Sequence, residues 1–134
     1  MLRIWAYSLW WVGFIFVYPA VMRIRVMAEH GAVAHLLDDD PRCNTRTTLA
    51  NPLERLFIAP NFVNYHCEHH VLAGISGHKL PKLHRLLRDR GFYEDHPHAI
   101  EKGYVNVLER CIGSPADRPD IAVVHGAASY AEMS

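Results

Sequence analysis

The chain has 134 residues, and its 14 lysine and arginine residues balance 14 aspartate and glutamate residues, giving a formal net charge of zero. This length allows one small domain at most. A neutral balance gives no support for a general nucleic-acid binder, which normally carries a basic excess, so we expect no nucleic-acid partner. Half of the residues are hydrophobic, which argues against wholesale disorder. The three cysteines are widely spaced and form neither a CxxC pair nor a disulfide framework, so they suit a reducing compartment.

The first strong feature in chain order is an apolar segment at the N-terminus. Residues 4–22 contain no ionisable acid or base, and nineteen helical residues extend about 28 Å, close to the hydrocarbon thickness of a bilayer. The segment is apolar all round and rich in tryptophan and tyrosine, which predicts a membrane-spanning helix over residues 1–22. Arg23 and Arg25 outweigh Arg3, so the positive-inside rule places the rest of the chain in the cytoplasm. A buried core helix and a cleaved signal peptide are the two alternatives.

The remainder of the chain predicts a small cytosolic helical region over residues 23–112. The acidic run before Pro41 ends the first helix, and Asn51 before Pro52 favours a new helix start. No strand pattern is evident, so we expect an all-α fold, followed by a disordered tail over residues 113–134. Helices are predicted over 23–37, from 52, over 61–75, over 81–90 and over 97–111.

The helix that starts at Pro52 is amphipathic. Leu53, Leu56 and Phe57 share one side, whereas Glu54 and Arg55 lie on the other. This pattern predicts a short helix lying along the membrane surface.

Three histidines form the main chemical motif. His66, His69 and His70 have the spacing i, i+3 and i+4, which places them on one face of a helix. Neighbouring neutral imidazoles suit a transition-metal ion and would repel one another if protonated, so the motif predicts metal ligation. The alternative is a solvated or internally satisfied cluster. Glu68 projects away from this face, which makes it an improbable base on the same metal.

The other histidines and Cys67 carry weaker signals. His30 follows the apolar segment and is an ordinary polar residue by itself, whereas His84 lies near a helix start and could orient a neighbour. Cys67 points away from the histidine face, so we interpret it as a packing residue. The remaining histidines are expected to be solvated: His35, His78, His96, His98 and His125.

Several stretches together resemble the C-terminal part of the membrane fatty acid desaturases. The likeness runs from the apolar helix to about residue 111. The stretches that carry it are Arg23–Arg25, Ala28–His30, Thr45–Thr48, Asn51–Leu56, Ala59–Pro60, Asn64–His70, Leu80–His84 and Gly103–Val105.

The resemblance implies a helical membrane bundle with a cytosolic cap. In that family three histidine boxes hold two iron ions, and O₂ with electrons from a ferredoxin or cytochrome b5 type donor desaturates an acyl lipid. His66, His69 and His70 match the third box, and His30 matches the isolated histidine after the last membrane pass, so all four are expected iron ligands. Relatives of similar pattern hydroxylate or ketolate carotenoids.

The chain departs from this pattern because the run His66–His70, which matches the third box, is not accompanied by separate first and second boxes of the HxxxH and HxxHH types. We therefore expect the C-terminal portion of a desaturase, inactive alone, with a separate N-terminal half as a possible partner. The alternatives are a membrane-anchored metal-binding module without turnover and a reading frame with no function of its own.

Overall fold

The computed structural model describes residues 2–33 and 37–113. Over these ranges the chain is mostly helical, with one long apolar helix and two short strands. The tail predicted to be disordered, residues 113–134, lies outside the described residues except for Gly113.

The N-terminal apolar segment forms one continuous helix with a wider turn inside it. Helix α1 (Leu2–Val12) passes through a π-helical turn (Gly13–Val17) into α2 (Tyr18–His30). Pro19 explains the turn, because its ring would collide with the carbonyl four residues earlier and it has no N–H to donate. The wider turn shifts the pairing, so that the N–H of Tyr18 donates to the carbonyl of Gly13.

The long helix is exposed over most of its length. Residues Ile4–His30 are long and apolar enough to cross a membrane, with a mean hydropathy of 1.5, and none of the most apolar window is buried. The buried core helix considered from the sequence is therefore wrong. Helix α2 ends at His30, because Gly31 has an extended backbone, so the helix predicted over 23–37 is too long.

Only the last turn of α2 enters the folded region. Ala28 is fully buried against Ala59, Tyr104 and Val107, the last two being in α7 (Tyr104–Ile112). This small core fixes the end of the long helix against the C-terminal helix and determines where His30 lies.

Two short strands show that the prediction of no strands is wrong, although the chain is mostly helical, as the all-α prediction expects. Strand β1 (Thr47–Leu49) pairs in parallel with β2 (Ile100–Lys102), with Thr47 opposite Ile100. The single helix predicted over 97–111 is also wrong. A 3-10 turn (Pro97–Ala99) leads into β2, and Gly103 then turns the chain with a φ of 74° before α7.

The shorter helices follow their local signals. Helix α4 (Pro52–Phe57) begins at Asn51, whose side chain forms a capping box with Glu54. Helix α6 (Leu80–Asp89) ends before Gly91, which has a φ of 73°. Helix α3 (Pro41–Asn44) was not predicted. Helix α5 (His66–Val71) is shorter than predicted, because a 3-10 turn (Pro60–Phe62) and Asn61 and Phe62, both with positive φ, precede it.

Candidate metal centre

Two helices bring three imidazoles together at the end of the long helix. His30 is the last residue of α2, while His66 and His70 lie one turn apart on α5. The Nε2 atom of His66 lies 3.0 Å from that of His30 and 3.1 Å from that of His70. The three side chains therefore point their Nε2 atoms into one small volume.

His69 lies beside this group without joining it. Its ring centre is 6.0 Å from those of His66 and His70, and its side chain is exposed. His69 and His66 line a cleft of about 310 Å³ together with Arg25, Asn61 and Val63. The structure therefore brings together three of the four predicted ligands and leaves the fourth at the edge of the group, facing the cleft.

Backbone and carboxylate groups orient two of the rings. The Nδ1 atom of His30 lies 3.1 Å from the carbonyl oxygen of Asn44. A carbonyl can only accept, so Nδ1 carries the proton and Nε2 presents its lone pair to the group. The Nδ1 atom of His66 faces a carboxylate oxygen of Glu29 at 3.9 Å, and Glu29 is itself held by Arg25 at 3.1 Å.

Burial and mutual repulsion keep the imidazoles of His66 and His70 neutral. Burial, followed by the neighbouring His70 and His30, lowers the pKa of His66 to about 3. Burial and the nearby His30 and His69 also lower the pKa of His70. Neutral imidazole is the form that binds a metal ion, so these two rings are in the ligand state at neutral pH.

The opposite face of α5 is anchored by a buried carboxylate. Glu68 is fully buried and accepts hydrogen bonds from the hydroxyl of Thr47, the hydroxyl of Tyr93 at 2.6 Å and Nδ1 of His84. Burial, and next the carboxylate of Glu68, raise the pKa of Tyr93, so its hydroxyl stays a donor. As predicted, Glu68 points away from the histidine group and His84 orients a neighbour.

Cys67 also agrees with its interpretation as a packing residue. It is fully buried in a second apolar cluster with Tyr93 and Ala99. Burial raises the pKa of its thiol to about 12, so the thiol stays protonated and makes a poor ligand.

The histidines expected to be solvated divide into three groups. His78 is exposed, as predicted, whereas His96 and His98 are only partly exposed, so their prediction is wrong. Their rings lie 5.6 Å apart near the second apolar cluster. His35 and His125 lie outside the described residues.

The convergent imidazoles fit a transition-metal ion. Two nitrogens that each lie about 2.1 Å from one metal ion, at about a right angle to each other, are about 3 Å apart. The separations of 3.0 and 3.1 Å agree with this spacing. Without a shared cation, Nε2 of His66 holds either one proton or one lone pair, so it could form a good hydrogen bond with only one of its two neighbours.

Comparison with known sequences shows which protein family carries this arrangement of histidines. The model of the family described as fatty acid desaturase matches residues 1–103, about three quarters of the chain, and this range includes all four histidines. The chain belongs to the fatty acid desaturase family. No curated protein and no solved structure matches the chain. The proteins of this family are membrane-bound and typically iron-dependent. Membership of the family supports an oxidoreductase role in lipid metabolism.

Several groups around the desaturase histidines were missed from the sequence. The carbonyl of Asn44 is a backbone group with no signature in the residue type, and Glu29 was noted only within the family-like stretch. Thr47 and Tyr93 reach Glu68 through the tertiary fold, 21 and 25 residues away along the chain. The one available signal in the sequence was Glu68, an acid on the far side of the histidine helix. A buried acid requires hydrogen-bond donors from other parts of the chain.

Proposed function

We propose that this chain supplies His30, His66, His69 and His70 as ligands to the diiron centre of a membrane fatty acid desaturase. The observation that carries the proposal is the convergence of three Nε2 atoms at 3.0 and 3.1 Å within a desaturase-family chain. The reaction is the O₂-dependent introduction of a double bond into an acyl lipid.

The residues of this chain have distinct tasks in the proposed site. Iron supplies the activation of O₂ needed to break an unactivated C–H bond, which protein acids and bases cannot do. Asn44 and Glu29 orient the imidazoles, and the network of Glu68 holds α5 at a fixed depth. His69 faces the cleft, from which it would close on a second ion.

The proposed ligand set is completed from outside the 134 residues. Four histidines are too few for two iron ions, which prefer more nitrogen and oxygen ligands each. The remaining histidine boxes would come from a preceding segment or a separate N-terminal half, and electrons from a ferredoxin or cytochrome b5 type donor. We therefore expect the 134-residue chain alone to be inactive.

The exposed apolar surface supports a place in the bilayer. The side chains of residues 4–20, apart from Gly13, are exposed, and α4 adds Leu53, Leu56 and Phe57, each about two-thirds exposed. Glu54 and Arg55 instead contact the rest of the protein. In a helix on the surface of a soluble protein, the apolar side chains would face the protein and the charged ones the solvent, so α4 has the opposite arrangement. We propose that the long helix spans the membrane with the histidine region on the cytoplasmic side.

The decisive experiment is complementation. The chain is co-expressed with a desaturase N-terminal half that carries the other two boxes, and unsaturated acyl lipids are measured by gas chromatography. His30→Ala, His66→Ala and His70→Ala are each expected to abolish product, whereas His78→Ala, on an exposed histidine outside the group, retains it. Full activity in any of the three variants contradicts the proposed ligand role.

A metal-binding module without turnover is the second candidate. It is favoured by the fact that three imidazoles converge within this chain alone. Metal analysis of the purified chain in detergent separates the two proposals. Stoichiometric, tightly held metal without a partner, together with no product in the complementation assay, supports the module.

A further inference from the structure

A second group of metal-ligating side chains lies where α3 meets the turn after α6. Asp40 precedes α3, Cys43 lies within it, and His96 follows the short turn that begins at Tyr93. One ligand atom from each of these three residues lies within 4.8 Å of the other two. All three side chains are partly buried.

One ring nitrogen of His96 makes no hydrogen bond within the described part of the chain. Its Nδ1 atom is fully buried and, among the described residues, has no hydrogen-bond partner. Burying a polar atom without a hydrogen-bond partner destabilises the folded chain. A metal ion bound by Asp40, Cys43 and this nitrogen would satisfy it.

The surrounding charge favours a cation. Burial, and then Asp38 and Asp40, raise the pKa of the Cys43 thiol. Asp95 adds a further negative charge near Arg42. The raised pKa disfavours the free thiolate, so a divalent cation would have to displace the thiol proton on binding, while its charge would compensate the carboxylates.

Arg42 is the cation that now occupies part of this site. It binds Asp40 through its side chain, at 3.0 Å from Nε and 2.5 Å from Nη2, and through its backbone N–H at 2.9 Å. Nε also lies 3.0 Å from the second carboxylate oxygen, so these three N–H donors make four contacts, two on each oxygen. A metal ion at Asp40 would replace one of the two contacts of Nε, and the hydrogen bonds from Arg42 lower the pKa of Asp40, which keeps it ionised.

We propose that Asp40, Cys43 and His96 bind a zinc-class divalent metal ion. One carboxylate oxygen, one thiolate sulfur and one imidazole nitrogen form a donor set that Zn²⁺ prefers, with a fourth position for water. The ion would join α3 to the turn after α6. Cys43 directly precedes Asn44, whose carbonyl oxygen contacts His30. The bound ion would therefore also help to hold His30 in position. This proposal does not depend on the proposed desaturase function.

The test uses Co²⁺ as a spectroscopic probe of the full chain in detergent. A thiolate bound to Co²⁺ gives a near-ultraviolet charge-transfer band that an all-histidine site does not give. We expect one equivalent of Co²⁺ to produce this band, Zn²⁺ to remove it by displacement, and Cys43→Ser to abolish it. His96→Gln should weaken Co²⁺ binding at least tenfold.

Two controls separate this site from the histidine group. Cys111→Ser, whose thiol lies against the carbonyl of Met27 instead, and the double variant His66→Gln, His70→Gln should keep the band. Absence of the band in the unaltered chain, or its persistence in Cys43→Ser, overturns the proposal.

A second measurement avoids reliance on variants that fail to fold. In the unaltered chain, saturating Zn²⁺ should slow maleimide modification of Cys43 at least tenfold, with Cys111 as the internal reference. An unchanged ratio of the two modification rates contradicts the site.

Discussion

His66 occupies the centre of the histidine group, in contact distance of both neighbouring imidazoles. Its folded-state pKa of about 3 lies below the value of about 6.5 expected in the unfolded chain. Below pH 6.5 the unfolded chain therefore binds a proton that the folded chain does not. The free energy of unfolding of the metal-free protein should fall with falling pH, by up to about 1.4 kcal/mol per pH unit for this residue.

Thermal unfolding between pH 7 and pH 5, followed by circular dichroism, measures this effect. His66→Gln keeps a polar side chain but cannot titrate, so its stability should depend less on pH than that of the unaltered chain. Parallel curves for the two proteins would show that His66 is not held neutral.

Glu68 is the residue on which the position of α5 depends. Glu68→Gln keeps the shape of the side chain but replaces a carboxylate that accepts from three donors. We expect the free energy of unfolding to fall by roughly 2 kcal/mol, since hydrogen bonds to a charged group are worth about 1.5–3 kcal/mol each. Denaturant titration measures it, with Glu109→Gln as a control on an exposed acid of α7 that should change little. Equal stability of both variants contradicts the anchoring role.

At the residue scale the sequence predicted the face but not its finer geometry. The i, i+3, i+4 spacing places three histidines on one side of a helix, and the structure has them on α5. The spacing could not separate His70, which joins the group, from His69, which does not. That difference arises because His30 approaches from another helix and meets one edge of the face.

Among the elements, the junction between β2 and α7 is the most constrained. Gly103 has a φ of 74°, and a Cβ atom there would lie 3.3 Å from the carboxylate of Glu54. That carboxylate also accepts a hydrogen bond from the N–H of Tyr104 at 2.7 Å. Gly103→Ala should therefore lower the free energy of unfolding by about 1–2 kcal/mol.

Gly74→Ala is the matched control for this substitution, since a Cβ atom there would meet nothing within 4 Å and its φ is not positive. Thermal unfolding of both variants measures the difference. A loss of stability in Gly74→Ala equal to that in Gly103→Ala would show that the junction carries no special strain.

Elements with local signals were predictable, whereas those set by distant partners were not. Asn51 and Gly91 mark helix ends through capping and a positive φ, and both were found where the sequence placed them. The strands β1 and β2 have three residues each, too few to show an alternating pattern. They form because residues 47 and 100 meet in the fold, which a local pattern does not encode.

At the scale of the whole molecule, the exposed apolar side chains of the long helix and of α4 are the ones that the proposed arrangement places against the bilayer. The proposed arrangement places Phe57 of α4 in the interfacial layer. A cysteine at this position, labelled with an environment-sensitive fluorophore in lipid vesicles, should show blue-shifted emission and quenching by brominated lipids. The same label at His78, which is exposed, should show neither effect. Equal emission from both positions would contradict a surface-lying α4.

The length of the long helix determines how far the histidine group stands from the bilayer centre. Twenty-seven residues, Ile4–His30, extend about 40 Å, whereas the hydrocarbon layer is about 30 Å thick. If the helix crosses upright from Ile4, His30 comes to rest among the lipid headgroups, about 10 Å past the acyl tails. An acyl carbon could then reach the histidines only by leaving its layer, so the bend imposed on the lipid tail would decide which carbon is attacked.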